Sequence, residues 1–284
     1  MTLSIKRINP LTFQFNQANL QDYQDCKRRF YLKYILHLAW PAAPAEPVAE
    51  FENHLRKGEI FHRLAHQYFI GIPEKSLDQI AQREEVLDWW RPFLVFARRN
   101  FALQDTLQPE RKVLVKGKDY KFAVRYDLLA VTQENVHVYD WKTSYLRYSQ
   151  DTARNRIQTR VYLYVLSHIN LPGLIPSSIP FEKMRLTYWF AQFPEQAISL
   201  DYDESLYQED EQFLTHLIEE ILYPENDYKM TDDERHCRYC TFRSLCDRGI
   251  QAGVLSADND EFLSGHEAET ELEFNFNEIP EIEF

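Results

Sequence analysis

Asp127, and thirteen residues further on the triplet Asp140-Trp141-Lys142, are the residues most able to do chemistry. They lie in the stretch RKVLVKGKDYKFAVRYDLLAVTQENVHVYDWKTS, where residues alternate and Val, Tyr and Phe are frequent. Turn residues at Lys116 to Asp119 and at Gln133 to Asn135 divide it into three consecutive antiparallel strands. Asp127 then falls on the second strand and Asp140 at the end of the third. Asp140 and Lys142 are two apart and share a face of the sheet. Burying two carboxylates and an ammonium together without a partner is costly. A divalent cation resolves the clash: Mg²⁺ takes carboxylate oxygens in octahedral geometry and keeps several waters. Water acidified in this way is a nucleophile suited to a phosphodiester. The lysine would position or deprotonate it and offset charge building on the phosphate.

The second constellation is four cysteines. Cys237, Cys240 and Cys246 cluster late in the chain, and Cys26 stands about 210 residues earlier. A zinc ribbon shows two paired knuckles, which this spacing does not. With no secretory signal in MTLSIKRINPLTFQF, a reducing, cytoplasmic setting and metal ligation are expected rather than disulfides. Structural zinc and unligated core thiols remain the rival readings.

Other elements must position these groups. Helices are expected over residues 18 to 38, from about Glu52 to Phe69, from about Leu77 to Arg99, from about Thr152 to His168 and from about Ser205 to Leu222. A Pro/Ala stretch at 41 to 47 ends the first, and MRLTYWFAQF (184 to 193) reads as a further strand. The order predicts an α/β fold, a mixed sheet flanked by helices.

Asp127 followed by Asp140-x-Lys142 after a tight hairpin resembles the signature of the PD-(D/E)XK nuclease superfamily. Gly58-Glu59-Ile60-Phe61-His62 resembles the G-x-x-x-H helix of its RecB-like branch, and Gln158-Thr159-Arg160-Val161-Tyr162 resembles that branch's Q-x-x-x-Y helix. Gln158 and Tyr162, four apart, point the same way. The resemblance implies a restriction-endonuclease-like sheet. It implies Mg²⁺ or Mn²⁺ held by His62, Asp127, Asp140 and the Trp141 carbonyl. It implies Lys142 as the catalytic lysine, with Gln158 and Tyr162 lining the site. The cysteine arrangement is similar to that of CRISPR-associated exonucleases and of the AddB nuclease domain of bacterial helicase–nucleases. It implies a [4Fe–4S] cluster on Cys26, Cys237, Cys240 and Cys246, stapling a helical cap and closing a loop of about 210 residues. The family usually has proline after the first cysteine. Here Lys27-Arg28-Arg29 follows, either a solvated helix turn or a hold on a phosphate backbone.

The chain divides into a nuclease domain over 1–257 and an acidic tail over 258–284. The tail holds ten of the 44 acidic residues and no Lys or Arg, so most of the net charge of -12 resides there. The near-neutral body can still carry a basic groove. The tail, punctuated by Leu272, Phe274, Phe276, Ile279, Ile282 and Phe284, reads as disordered solvating chain, as a docking peptide for a protein partner, or as a DNA mimic lying in the groove. Tyr145, Arg147, Tyr148, Arg154, Arg156 and Arg160 interleave aromatic and basic character after Lys142, as suits a single strand. Trp89-Trp90 reads as helix core. No stretch is long enough to span a bilayer, and no phosphate loop of a motor is present.

The expected activity is hydrolysis of DNA, at single-stranded or free ends, in repair, recombination or CRISPR spacer acquisition. The rivals are a non-cutting iron–sulfur module that grips DNA inside a helicase–nuclease complex, and an RNA-directed nuclease of the same chemistry.

Overall fold

The alternating stretch forms the three strands that its pattern predicts, and they build one side of a six-stranded mixed sheet. The structure is a computed structural model. It describes residues 7–38, 46–102, 106–117, 120–132, 135–169, 179–224, 228–238 and 240–249, with side chains near the start of the second of these segments described from residue 53 onward. The strands are β1 (Gln14–Phe15), β2 (Thr106–Lys116), β3 (Lys121–Val131), β4 (Val136–Lys142), β5 (Met184–Phe190) and β6 (Ile198–Asp201). The order is β1-β3-β4-β5-β6, with β2 also on β3. β1 with β3 and β4 with β5 run parallel, and the other neighbours run antiparallel.

The helices are α1 (Gln17–Asp25), α2 (Lys27–Phe30), α3 (Glu46–Phe69), α4 (Glu74–Arg83), α5 (Leu87–Asn100), α6 (Gln150–Asn155), α7 (Ile157–Ser167) and α8 (Glu204–Leu222). One face of the sheet packs on α1, α7 and α8 around Tyr126, Val138, Leu163, Leu186 and Ile218. The other packs on α3, α4 and α5 around Phe61, Trp90, Phe93, Trp141 and Trp189. Nine residues of α7 are buried, so its apolar run reads as a helix enclosed on most sides rather than one with a wet face.

Three helices expected to be continuous are broken, each by one or a few residues that leave helical geometry. Cys26 is extended (φ -160°, ψ 106°), ending α1 and capping α2 through its Sγ, which accepts from the Arg29 N–H. Glu85, at φ 58°, separates α4 from α5, and extended Arg156 separates α6 from α7. Apolar spacing carries across each break, so periodicity alone does not reveal them. Strands β1 and β6 are too short to leave an alternating signature. Among the described residues no helix is long and apolar enough to cross a membrane. The tail at 258–284 lies outside the described residues.

The sheet carries one irregularity, at the level of Asp127. On β3, Phe122, Val124 and Tyr126 face the α7 layer, whereas Leu128 and Ala130 face the α3–α5 layer. On β2, Val113 and Leu107 differ in the same way. Period-2 alternation therefore slips on both strands at one level. There the register runs from Arg111–Tyr126 to Pro109–Leu128, and Glu110 between them adopts φ 52°. A left-handed conformation costs a non-glycine residue about 1–2 kcal/mol, and strain of this kind collects at functional sites.

Candidate active site

Strands β3 and β4 pair only over Leu128–Val131 and Val136–Tyr139, and then part. β1 covers the far end of the same β3 edge, at Lys121 and Phe122. The gap between holds Asp127. Its Oδ2 accepts from the Trp141 N–H at 2.7 Å, so a side chain takes over where the ladder stops. Its Oδ1 lies 3.3 Å from His62 Nδ1 on α3. Glu110 completes a group: ligand atoms of His62, Glu110 and Asp127 all lie within 4.8 Å of one another, the one group of three or more among the described residues close enough to share an ion.

Charge in this group is balanced by a proton. Burial works against a charged His62, but Asp127, Glu110 and Asp140 outweigh it and raise the ring to about 9. Burial pushes Asp127 up, yet His62 and the Trp141 N–H hold it below the ordinary carboxylate range. Glu110 is raised by burial and by Asp127, against Arg125, which it meets at 3.1 Å. A divalent ion would take the place of the imidazole proton, since ligating histidine must be neutral. The donor set, one nitrogen and two carboxylates, fits Mg²⁺ or Mn²⁺.

Asp140 and Lys142 sit on the opposite side of the gap, buried, with Lys142 Nζ 2.9 Å from Asp140 Oδ2. Gln158 Nε2 donates to Asp140 Oδ1 at 2.8 Å. Asp140 is thus held by Lys142 and Gln158 and does not belong to the His62–Glu110–Asp127 group. Tyr162 meets the backbone of the same bare β3 edge. Its hydroxyl donates to the Arg125 carbonyl at 3.0 Å, satisfying β3 backbone where no strand covers it. Gly58 has its own reason: a Cβ there would stand 2.9 Å from Thr143 Oγ1, so only glycine lets α3 lie this close to the residue after Lys142.

A family model for the PD-(D/E)XK nuclease superfamily matches residues 14–247. The chain belongs to that superfamily. Two solved structures are similar at low identity. One, described as SSO0001, shares 17% identity over 86% of this chain and 88% of its own, with a TM-score of 0.40. Another, from Eubacterium rectale and described as a candidate exonuclease, shares 11% over 86% and 91%, with a TM-score of 0.47. Scores this low do not bear on function. No curated protein matches the sequence.

Outside the sheet of this PD-(D/E)XK domain, Cys26, Cys237, Cys240 and Cys246 line one small pocket with Arg29, Leu32, Phe242 and Arg243. No three of the sulfurs come close enough to hold a single ion in common. Burial, and to a lesser degree neighbouring sulfurs, raises the thiols of Cys237, Cys240 and Cys246. Arg29 is buried here, ion-paired to Asp22 and Asp25 at 2.7 Å each.

Several charges expected to meet nucleic acid are otherwise engaged. Arg29 is held by Asp22 and Asp25, and Lys27 pairs with Glu220 at 3.0 Å. Arg154 and Arg160 both pair with fully buried Asp210, at 3.0 and 2.7 Å. Arg156 lies over the ring of buried Tyr148, 4.2 Å from its centroid. A buried aspartate 50 residues away has no local signature, so these arginines could not be told from surface ones. Tyr145, in contrast, is 54% exposed.

Sequence reasoning missed Glu110. The signal was available: folding the chain about the turn that follows Lys116 brings residue 110 close to the level of Asp127.

Proposed function

We propose that this domain is a RecB-like, metal-dependent DNA nuclease that hydrolyses single strands from free ends. The observation that supports it is the gap between β3 and β4, where the His62–Glu110–Asp127 group faces the Asp140–Lys142 pair. His62, Asp127 and Glu110 would hold Mg²⁺ or Mn²⁺, with Asp140 and the Trp141 carbonyl as the further ligands that the superfamily resemblance implies. When bound, the ion supplies Lewis acidity to a phosphoryl oxygen and to water. Lys142 is held at the gap by Asp140 and by the face of Tyr188, 5.5 Å from Nζ. There it orients the water and meets negative charge on the phosphorus centre. Gln158 keeps Asp140 from turning, and Tyr162 keeps the β3 backbone in place. Water's oxygen joins phosphorus, one P–O ester bond breaks, and the proton goes to the leaving alkoxide.

The four cysteines are assigned a [4Fe–4S] cluster. Zinc would draw tetrahedral thiolates to about 2.3 Å from one centre, tighter than these sulfurs lie, whereas a cluster spreads its ligands. Buried Arg29 and Arg243 would offset the charge of four thiolates.

A second reading is a domain that grips DNA without cutting. It is favoured by one observation, the engagement of both Asp140 oxygens by Lys142 and Gln158. Linear and circular single-stranded DNA, offered in Mn²⁺ and in Ca²⁺, separate the readings. Degradation of the linear form alone, with binding only in Ca²⁺, is the expected result. Tight binding in both ions with no product would move the assignment to the gripping module.

A further inference from the structure

Beyond the gap, α3 runs alongside the chain that leaves β4. His62 lies beside Asp127, Gly58 one turn earlier lies against Thr143, and His54 one turn earlier still stacks on Tyr145 with centroids 4.2 Å apart. His54, Gly58 and His62 therefore share one face of the helix. At the His54 end opens a cleft of about 410 Å³, lined by Asn53, Lys57, Asp88, Trp89, Tyr145 and Gln192 among others. It stands where the parallel strands β4 and β5 end, at Lys142 and Phe190. Crevices beyond the carboxyl ends of parallel strands are where open α/β sheets bind ligands.

The lining selects a ligand class. Tyr145 exposes an aromatic surface, His54 backs it, and Trp89 meets His54 edge-on at 5.4 Å. Asn53, Asp88 and Gln192 offer hydrogen-bonding groups around that platform. Lys57 is drawn to Glu85 at 3.1 Å, and two carboxylates, Glu85 and Asp88, share the cleft. A pocket with this charge is unfavourable for phosphate and favourable for a flat neutral ring bearing donors. Eight residues of helix separate His54 from His62, about 12 Å. A nucleic-acid strand covers that distance in about two to four nucleotides, at roughly 3.4 Å each when stacked and more when extended.

We propose that this cleft is a nucleobase subsite. One unpaired base, two to four nucleotides from the scissile phosphate, stacks on Tyr145 while its edge faces Asn53, Asp88 and Gln192. The subsite rests on the nuclease reading only for its distance from the cut; base binding stands without it. It makes the domain prefer unpaired strands, because a base in a duplex cannot enter.

The test scans a single abasic residue along a labelled single-stranded oligonucleotide, with wild type, Tyr145→Ala and Tyr145→Phe. Binding is read by anisotropy in Ca²⁺ and cleavage in Mn²⁺. In wild type and Tyr145→Phe, one abasic position weakens binding about tenfold, the scale of base–aromatic stacking. Tyr145→Ala loses about the same on the intact strand and becomes indifferent to the abasic residue. A positional penalty that persists in Tyr145→Ala, or no penalty at any position in wild type, overturns the proposal. Absence of cleavage with the binding pattern intact would fell the nuclease reading and leave the subsite standing.

Discussion

The two chemical poles of this protein are built in opposite ways. At the gap between β3 and β4 the functional groups stand on sheet and long helix, and hydrogen bonds fix them before any ion arrives. Asp127 is held by the Trp141 N–H, Asp140 by Gln158, and the β3 backbone by Tyr162. At the cysteine pocket Cys26 stands at a helix break, Cys237 and Cys246 end two short 3-10 turns, Glu234–Cys237 and Arg243–Cys246, and Cys240 lies on the chain between those turns. Their sulfurs are not gathered for a shared ion. The first pole is preorganised by the fold. The second joins distant parts of the chain, and the cluster proposed for it would be what organises it. Loss of a ligand should therefore cost mainly function at one pole and mainly stability at the other.

The largest effect is expected at the cysteines. Cys240→Ala should lower stability by on the order of 5 kcal/mol, the scale of closing a long loop by one cross-link. The visible absorption expected of the proposed cluster should disappear with it. Thermal melts and visible spectra of anaerobic protein check both, and an unchanged melt would erase the contrast between the poles.

Next comes the buried pair. Lys142→Ala strands Asp140 and should cost about 3–5 kcal/mol, whereas the double change Asp140→Asn with Lys142→Met should cost less than that. Urea titrations decide it. If the double variant is the less stable, the pair contributes to the fold more than its chemistry requires.

Glu110→Gln should leave the melt almost unmoved and weaken Mn²⁺ binding about 10- to 100-fold, the range in which groups around a metal site act. Calorimetric titration reads it. Unchanged affinity would remove Glu110 from the site and make its φ of 52° a matter of strand geometry alone.

The smallest effect belongs to Gly58→Ala, whose methyl would meet Thr143 Oγ1 at 2.9 Å. Overpacking of this kind costs about 1–3 kcal/mol. Its sharper sign is rescue by Thr143→Ala, which removes the opposing atom. No rescue would place the need for glycine elsewhere on α3.

Distance along the chain decided how much of this was legible. The meander, Asp127, Asp140 and Lys142 could be read because alternation and turns are local and because strand neighbours can be found by counting. Gln158 and Tyr162 could be paired because four residues make one helical turn, but Tyr162's task could not be seen. It depends on a strand edge left bare between β1 and β4, a fact of topology. Glu110 sits beside Pro109, which demotes a strand in any reading of pattern, and its left-handed backbone has no compositional mark. Arg154 and Arg160 read as phosphate contacts because their partner, Asp210, comes from α8. Cys26 was legible as a ligand candidate, yet the helix break that turns it toward the pocket was hidden by continuous apolar spacing.

The most direct test of the central claim is Mn²⁺-dependent cleavage of labelled single-stranded DNA by anaerobically purified wild type and Lys142→Ala, run beside a variant of equal melting temperature with an intact gap. Product from wild type and the matched control, with a loss of roughly 10²-fold or more in Lys142→Ala, is the expected result. Equal cleavage by Lys142→Ala, or none by any protein that still binds the strand, would contradict it.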